Sequence, residues 1–253
     1  MSEVLKIILL ALIQGICEFF PVSSSGHLVI FQTLLAFTSV PLIFDIFFHL
    51  GTLLAVLIFF FKDIKDLVVH FSRPENHRLI LMIIVASLPT ALIGWIFKDP
   101  LEKLFVQPAA VGIGLLISAL FLFASLRLRA APRSPYLAAL IIGVFQGLAI
   151  VPGISRSGVT IAVGLMLSLG YGFSFKFSFL LSVPAVIGAA LLEISRVTIP
   201  SGSLPGLLLG LVLAAIFGTA ALAVLKKIVR REKFHLFGFY CLLAGALVIL
   251  LFR

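Results

Sequence analysis

The sequence predicts an all-α integral membrane protein with about ten helical segments in two inverted repeats: six spanning helices and two re-entrant helical hairpins. Three observations carry that expectation. Of the 253 residues, 62% are hydrophobic and 11% charged, against about 45–50% and about 25% in soluble domains, and the mean hydropathy is +1.27. Apolar stretches fill nearly the whole chain, which leaves almost no extramembrane domain. The net charge of +9 falls mainly between those stretches, where it acts as an orientation signal rather than as a surface for nucleic acid.

A bilayer core of about 30 Å takes roughly 20 apolar residues per spanning helix. Ten stretches can be marked: Val4–Phe20, His27–Leu42, Ile46–Phe61, Leu79–Phe97, Val106–Leu126, Tyr136–Val151, Val159–Gly170, Phe177–Leu192, Leu204–Leu225 and Phe234–Phe252. Charged and Pro/Gly-rich punctuation separates them, at Lys62–Asp66, Ser72–Asn76, Lys98–Pro100, Arg127–Pro135, Pro200–Gly202 and Lys226–Lys233. Lys6 followed by the apolar run Ile7–Ile13 briefly resembles a signal peptide, but Ile16 is too large for a lipoprotein box at Cys17 and no A-x-A site follows, so the segment is expected to be retained. Cys17 and Cys241 stand in apolar surroundings with no pairing or metal spacing.

The second and seventh stretches are short or polar, and each follows a Ser/Gly/Pro cluster that breaks a helix. Those clusters repeat. With an offset of 132, Gln14-Gly15 matches Gln146-Gly147, and Ser23, Ser25 and Gly26 match Ser155, Ser157 and Gly158, with Arg156 opposite Ser24. Residues 1–130 and 131–253 therefore read as two copies within a single membrane domain. Stretches one and two form one hairpin with its tip at Ser23–His27; stretches six and seven form another with its tip at Gly153–Gly158. Each half then crosses three times, the second inverted relative to the first, so both tips approach mid-membrane.

One side receives Lys62, Lys65, Arg73, Arg78, Arg127, Arg129, Arg133, Lys176, Lys226, Lys227, Arg230, Arg231 and Lys233, thirteen in all. The other receives Lys6, Lys98, Lys103, Arg196 and Arg253, five in all. By the positive-inside rule both termini face out.

Glu18 lies inside an apolar helix, where a carboxylate marks function by default, and Gln14 shares its face one turn earlier. A protonated structural glutamate is the alternative. The turn Pro21-Val22-Ser23-Ser24-Ser25-Gly26-His27 places three hydroxyls and an imidazole at the start of a helix. Serines there serve as N-caps or hold a phosphate, and His27 is either a satisfied buried ring or a base. The second turn, Pro152-Gly153-Ile154-Ser155-Arg156-Ser157-Gly158, adds a guanidinium that suits phosphate oxygens, or that pairs structurally with Glu18. Gly153 and Gly158 let backbone approach an anion. Asp45 and His49 stand one helical turn apart, as site support or as an interfacial polar pair.

The run from Gln14 to His27, QGICEFFPVSSSGH, and Pro152–Gly158, PGISRSG, resemble the two signature motifs of the undecaprenyl-diphosphatase (bacitracin-resistance) family. Phe44–Val56 and Phe177–Pro184 resemble its flanking helices, so the likeness spans essentially the whole chain. The resemblance implies a membrane phosphatase that converts undecaprenyl diphosphate to the monophosphate at the outer face. It further implies Glu18 in metal binding or proton transfer, Ser24 or His27 as nucleophile, and Arg156 with Ser155 and Ser157 on the phosphates. Ser23, Ser25, Gly153 and Gly158 complete the expected substrate cradle. Gln14 stands where the family motif commonly carries a second Glu, and its amide oxygen still ligates a cation. The expected partners are thus a divalent cation, Mg²⁺ or Ca²⁺, held by Gln14 and Glu18, a polyprenyl diphosphate, and the bilayer, with no nucleic acid and with a homodimer left open.

Two rivals share parts of this pattern. Lipid phosphate phosphatases with a histidine nucleophile share Ser-Gly-His and Ser-Arg fragments, but the Pro of their Pro-Ser-Gly-His is absent and Ala162 stands where their second histidine would fall. A polyprenyl-phosphate flippase or transporter shares the inverted broken helices, and lacks the need for a nucleophile beside the anion site.

Overall fold

The computed structural model describes residues 2–37, 41–97, 104 and 107–252, and among them it is all helical, with no strand. Lys98–Pro100, Lys103 and Arg253, which entered the charge count and the punctuation, lie outside the described residues, as do positions 38–40 of the second stretch.

Eleven α-helices are described: α1 Glu3–Cys17, α2 Ser24–Leu34, α3 Pro41–Phe59, α4 Phe61–Val69, α5 Pro74–Ile96, α6 Pro108–Ala124, α7 Pro135–Leu148, α8 Arg156–Met166, α9 Tyr171–Ile194, α10 Leu204–Arg230 and α11 Phe237–Leu251. Their starts follow local chemistry. Ser2, Ser23, Ser134 and Ser155 each accept a backbone N–H from the first turn of the following helix, and Pro opens α5, α6 and α7, where its missing N–H costs nothing.

Helix length separates two classes. The helices α3, α5, α9 and α10, and the segment Phe234–Leu251 that contains α11, are long and apolar enough to cross a membrane. The sixth expected span, α6, has 17 residues and directly follows positions outside the described set. By contrast α1, α2, α7 and α8 have 15, 11, 14 and 11 residues, which at 1.5 Å per residue reach about 16–22 Å, short of the bilayer core. These four are the arms expected to be re-entrant. The chain is a multi-pass membrane protein.

The structure departs from the sequence reading in the connections. Lys62–Asp66, read as punctuation, lies within helix α4: Phe61, Ile64 and Leu67 recur at three-residue spacing, Leu67 is buried, and Asp63 pairs with Lys176 of α9 at 2.5 Å. The third segment begins at Pro41 rather than Ile46, and α10 continues through Lys226 and Lys227 to Arg230. Lysine and arginine are good helix formers, so a hydropathy boundary there is not a helix boundary.

The two sets of arms exchange partners. The arm α1 packs on α10, whereas α7 packs on α5, and α6 packs on α11. Close approach is possible because glycine faces the crossing: a Cβ on Gly15 would lie 2.8 Å from Phe217 Cβ of α10, and one on Gly143 would lie 2.1 Å from Ala86 O of α5.

Candidate active site

The two broken turns meet. Gly26 packs so closely on the second turn that a Cβ there would lie 3.1 Å from Gly153 Cα, and one on Gly158 would lie 3.0 Å from Pro21 Cβ. Ser157 Oγ donates to Phe19 O at 3.0 Å. Gly153 has φ +90°, a conformation costly for residues with a Cβ, and a Cβ there would lie 2.1 Å from Val111 O.

At this seam the Glu18 carboxylate is the hub. It follows the last turn of α1, and its Oε2 accepts from Gln14 Nε2 at 3.1 Å and from Ser24 Oγ at 2.6 Å. Its Oε1 accepts from Arg156 Nη2 at 2.5 Å. His49 of α3 brings Nε2 to 3.7 Å from the same Oε2 that holds Ser24. The Glu18 and Arg156 side chains are only 9% and 17% exposed, so each charge depends on the other for compensation.

Two polar atoms of this cluster are unsatisfied. Arg156 Nη1 and Gln14 Oε1 are buried and have no hydrogen-bond partner. An unfilled cationic donor and an unfilled amide acceptor, both at the seam, are suited to an incoming anion and to a hard cation respectively. The guanidinium is held from behind by Phe179, whose ring centroid lies 5.9 Å from Arg156 Cζ.

The remaining serines divide between capping and bracing. Ser23 and Ser155 cap their helices, accepting from Gly26 N and Gly158 N at 3.2 and 3.1 Å, and their hydroxyls lie 3.4 and 3.3 Å from those of Ser25 and Ser157. The correspondence between the two turns seen in the sequence therefore extends to their hydrogen bonding. His27 sits apart from the cluster. Its Nδ1 lies 2.8 Å from Ser23 O and its Nε2 lies 2.6 Å from Tyr240 Oη.

Three contributors were not singled out in the sequence. Ser118 of α6 accepts Ser155 N–H at 2.8 Å, and its Oγ lies 3.1 Å from Gly153 O, so it ties Gly153 to Ser155 within the second turn. Thr160 of α8 shares a 2.6 Å hydrogen bond with Ser178 of α9 and donates to Arg156 O at 2.8 Å. Tyr240 is the third. Ser118 and Tyr240 are lone polar residues in long apolar runs, and the only available signal was that a polar group in a membrane helix needs a partner.

The family model described as "Bacitracin resistance protein BacA" matches residues 7–247, which encloses both turns and the residues of α6 and α11 that contact them. The chain belongs to the bacitracin resistance protein BacA family. BacA-family likeness extends to relatives along their full length. A Halothermothrix orenii protein named undecaprenyl-diphosphatase is 38% identical over 98% of this chain and 98% of its own. Proteins of the same name from Methanosphaera stadtmanae, at 38% identity over 99% of both chains, and Syntrophotalea carbinolica, at 41% over 96% of this chain and 97% of its own, agree. Among the described residues no group of three or more His, Cys, Asp or Glu side chains gathers as a preformed metal set.

Proposed function

We propose that this BacA-family chain hydrolyses undecaprenyl diphosphate to undecaprenyl phosphate and inorganic phosphate, recycling a lipid carrier for cell-wall polymers. One observation carries the reading: Ser24 Oγ donates to Glu18 Oε2 at 2.6 Å beside an arginine with a buried, unpartnered Nη1. A nucleophile, a base and an anion anchor thus share one seam.

In this reading Arg156 Nη2 holds Glu18 while Nη1 takes an oxygen of the terminal phosphate. The N-termini of α2 and α8 contribute further positive potential. Ser24 Oγ attacks in line; its proton passes to Glu18 Oε2, the Oγ–P bond forms, the bridging P–O bond breaks, and undecaprenyl phosphate departs as the anion. After Glu18 has lost that proton to water, it accepts a proton from the second nucleophile, a water molecule. That proton moves to Ser24 Oγ as the phosphoserine bond breaks and inorganic phosphate forms. The base role falls to Glu18, because both ring nitrogens of His27 are engaged elsewhere.

A divalent cation fits the donor set. Gln14 Oε1 is a buried oxygen without a partner one helical turn from the Glu18 carboxylate, and Mg²⁺ commonly takes one or two protein oxygens and completes its shell with substrate phosphate and water. Bound there, it would neutralise charge on the diphosphate.

The thirteen-to-five charge bias supports an opening on the outer face with both termini outside. The exchange of partners, α1 on α10 and α7 on α5, supports two inverted repeats. Cysteines placed at positions 24 and 156 in separate variants should then be labelled from the same side, and labelling from opposite faces overturns the arrangement. The decisive assay for the activity is phosphate release from undecaprenyl diphosphate by purified protein in detergent, with and without chelator. Wild type should release phosphate and Arg156→Ala should not; a wild type that releases none refutes the reading, because a flippase alone liberates no phosphate.

A further inference from the structure

The helix α11 belongs to neither hairpin, yet it grips the first turn at three successive points. Phe237 packs its ring 5.2 Å from that of Phe20. Cys241 Sγ donates to Pro21 O at 3.2 Å. Tyr240 lies between them in sequence, and its ring lies nearly parallel to that of His27, with centroids 5.8 Å apart and planes inclined by 17°.

The hydrogen bonds through His27 assign its protons. Ser23 O is an acceptor only, so the Nδ1 that faces it at 2.8 Å carries a hydrogen and donates. In the neutral ring Nε2 is then a bare acceptor, and the Tyr240 hydroxyl at 2.6 Å donates to it. The ring is a strut of defined polarity: Tyr240 O–H to Nε2, Nδ1–H to Ser23 C=O.

The far end of that strut is the backbone most in need of support. Ser23 has φ +67°, a left-handed conformation that a residue with a Cβ keeps only when its surroundings impose it. Its carbonyl is clasped twice, by the His27 backbone N–H at 3.2 Å and by the imidazole. The next residue is Ser24, whose Oγ points at Glu18. A rotation of the Ser23 peptide would swing that hydroxyl away from its base.

We infer that Tyr240 is a positioning residue for hydrolysis: acting through the His27 ring, it fixes the Ser23 carbonyl and hence the direction in which Ser24 Oγ faces Glu18 and the terminal phosphorus. The inference rests on the hydrolytic reading above, with Ser24 as nucleophile. It gives His27 the work of a brace rather than of a base. The lone pair on Nε2 that a base would need is already occupied by a phenol from the other end of the chain.

The test is Tyr240→Phe, which keeps the ring beside His27 and removes only the hydroxyl. In the detergent assay kcat should fall about tenfold with KM within about twofold of wild type, because the aim of the nucleophile changes while the phosphate anchor does not. A second readout needs no turnover. In protein labelled with ¹⁵N-histidine, with the His27 resonances assigned by their loss in His27→Gln, wild type should show a single Nδ1–H tautomer with Nε2 unprotonated. Tyr240→Phe should keep that tautomer and move the Nε2 resonance downfield, as for a bare imidazole nitrogen that has lost its donor. A wild-type Nε2–H tautomer overturns the inference even if the variant cannot be folded, and so does a Tyr240→Phe enzyme with wild-type kcat. Wild-type protein that releases no phosphate overturns the hydrolytic reading itself, so the two failures are told apart.

Discussion

Replacing Arg156 by lysine keeps the charge and removes the fork, and so tests how the guanidinium divides its work. In the structure Nη2 is committed to Glu18 Oε1 at 2.5 Å, while Nη1 is buried without a partner. A lysine ammonium offers one point of charge in place of two rigidly related donors. If it stays with Glu18, the substrate loses a hydrogen bond to a charged donor, worth about 1.5–3 kcal/mol. At about 1.4 kcal/mol per factor of ten, kcat/KM should fall by a factor of about 12 to 140. The assay is phosphate release by Arg156→Lys protein in detergent, with melting temperature measured alongside to show that the fold survives. Retention of the Glu18 partner predicts little change in melting, whereas Arg156→Ala leaves a buried carboxylate unpaired and should melt earlier as well as lose activity. An Arg156→Lys enzyme within threefold of wild type would refute the claim that Nη1 engages the phosphate.

Ser24→Ala should lower kcat by about a thousandfold or more, and quenched-flow trapping on wild type should place phosphate on Ser24; label on His27, or none at all, refutes covalent catalysis at that hydroxyl. Gly153→Ala should cost about 2–5 kcal/mol, because φ is +90° and the added Cβ meets Val111 O at 2.1 Å, while Gly172→Ala, with open space around it, should leave the melting temperature unchanged or raised. At the α4–α5 turn, the hydrogen bond from Asn76, followed by those of His70 and the charge of Arg73, holds the Asp66 carboxyl below the usual carboxylate range. A depressed folded-state value stabilises above the unfolded value and is lost as pH falls through the folded one. Amide-exchange protection of this turn should therefore be flat down to about pH 4 and decline below it, and in Asn76→Ala that decline should shrink; an identical profile in both proteins refutes the coupling.

Much of the fold was legible because membrane helices announce themselves by apolar length, and because polar residues in them are costly enough to mark function. Glu18 and Arg156 were found that way, whereas Ser24 stood out from the neighbouring serines only through the family resemblance; the structure joins both Ser24 and Arg156 to the Glu18 carboxylate. Helix α4 was missed because its lysines and aspartates read as a loop, although Phe61, Ile64 and Leu67 carry a helical period. His49 was left between two readings, since one-turn spacing from Asp45 states a shared face without saying what the face meets; the structure places Nε2 3.7 Å from Glu18. The partners of His27 and of the second turn were beyond reach. Tyr240 lies 213 positions from His27 and Ser118 lies 37 from Ser155, and a lone hydroxyl in an apolar run says only that it has a partner somewhere.

The site also explains how two broken helices are tolerated inside an apolar bundle. Each arm of about 16–22 Å is shorter than a bilayer core, and the turn that follows is largely buried, so its N–H and C=O groups need partners within the protein. Neither turn supplies them alone. The first satisfies part of its need through its own serine cap and through α11, and the second through its own serine cap and Ser118 of α6. Across the seam Ser157 donates to Phe19 O and Arg156 to Glu18. After all of these pairings, Arg156 Nη1 and Gln14 Oε1 at the seam remain unsatisfied, as do Gln146 Oε1 of α7 and Ser174 Oγ of α9. At the seam the donor belongs to a cation and the acceptor to a neutral amide, and both residues are tied to the Glu18 carboxylate through another side-chain atom, a nitrogen in each case. Around the seam most of the cost of breaking two helices is compensated, and the two atoms left open there are those that a diphosphate and its counter-ion would satisfy in the proposed reaction.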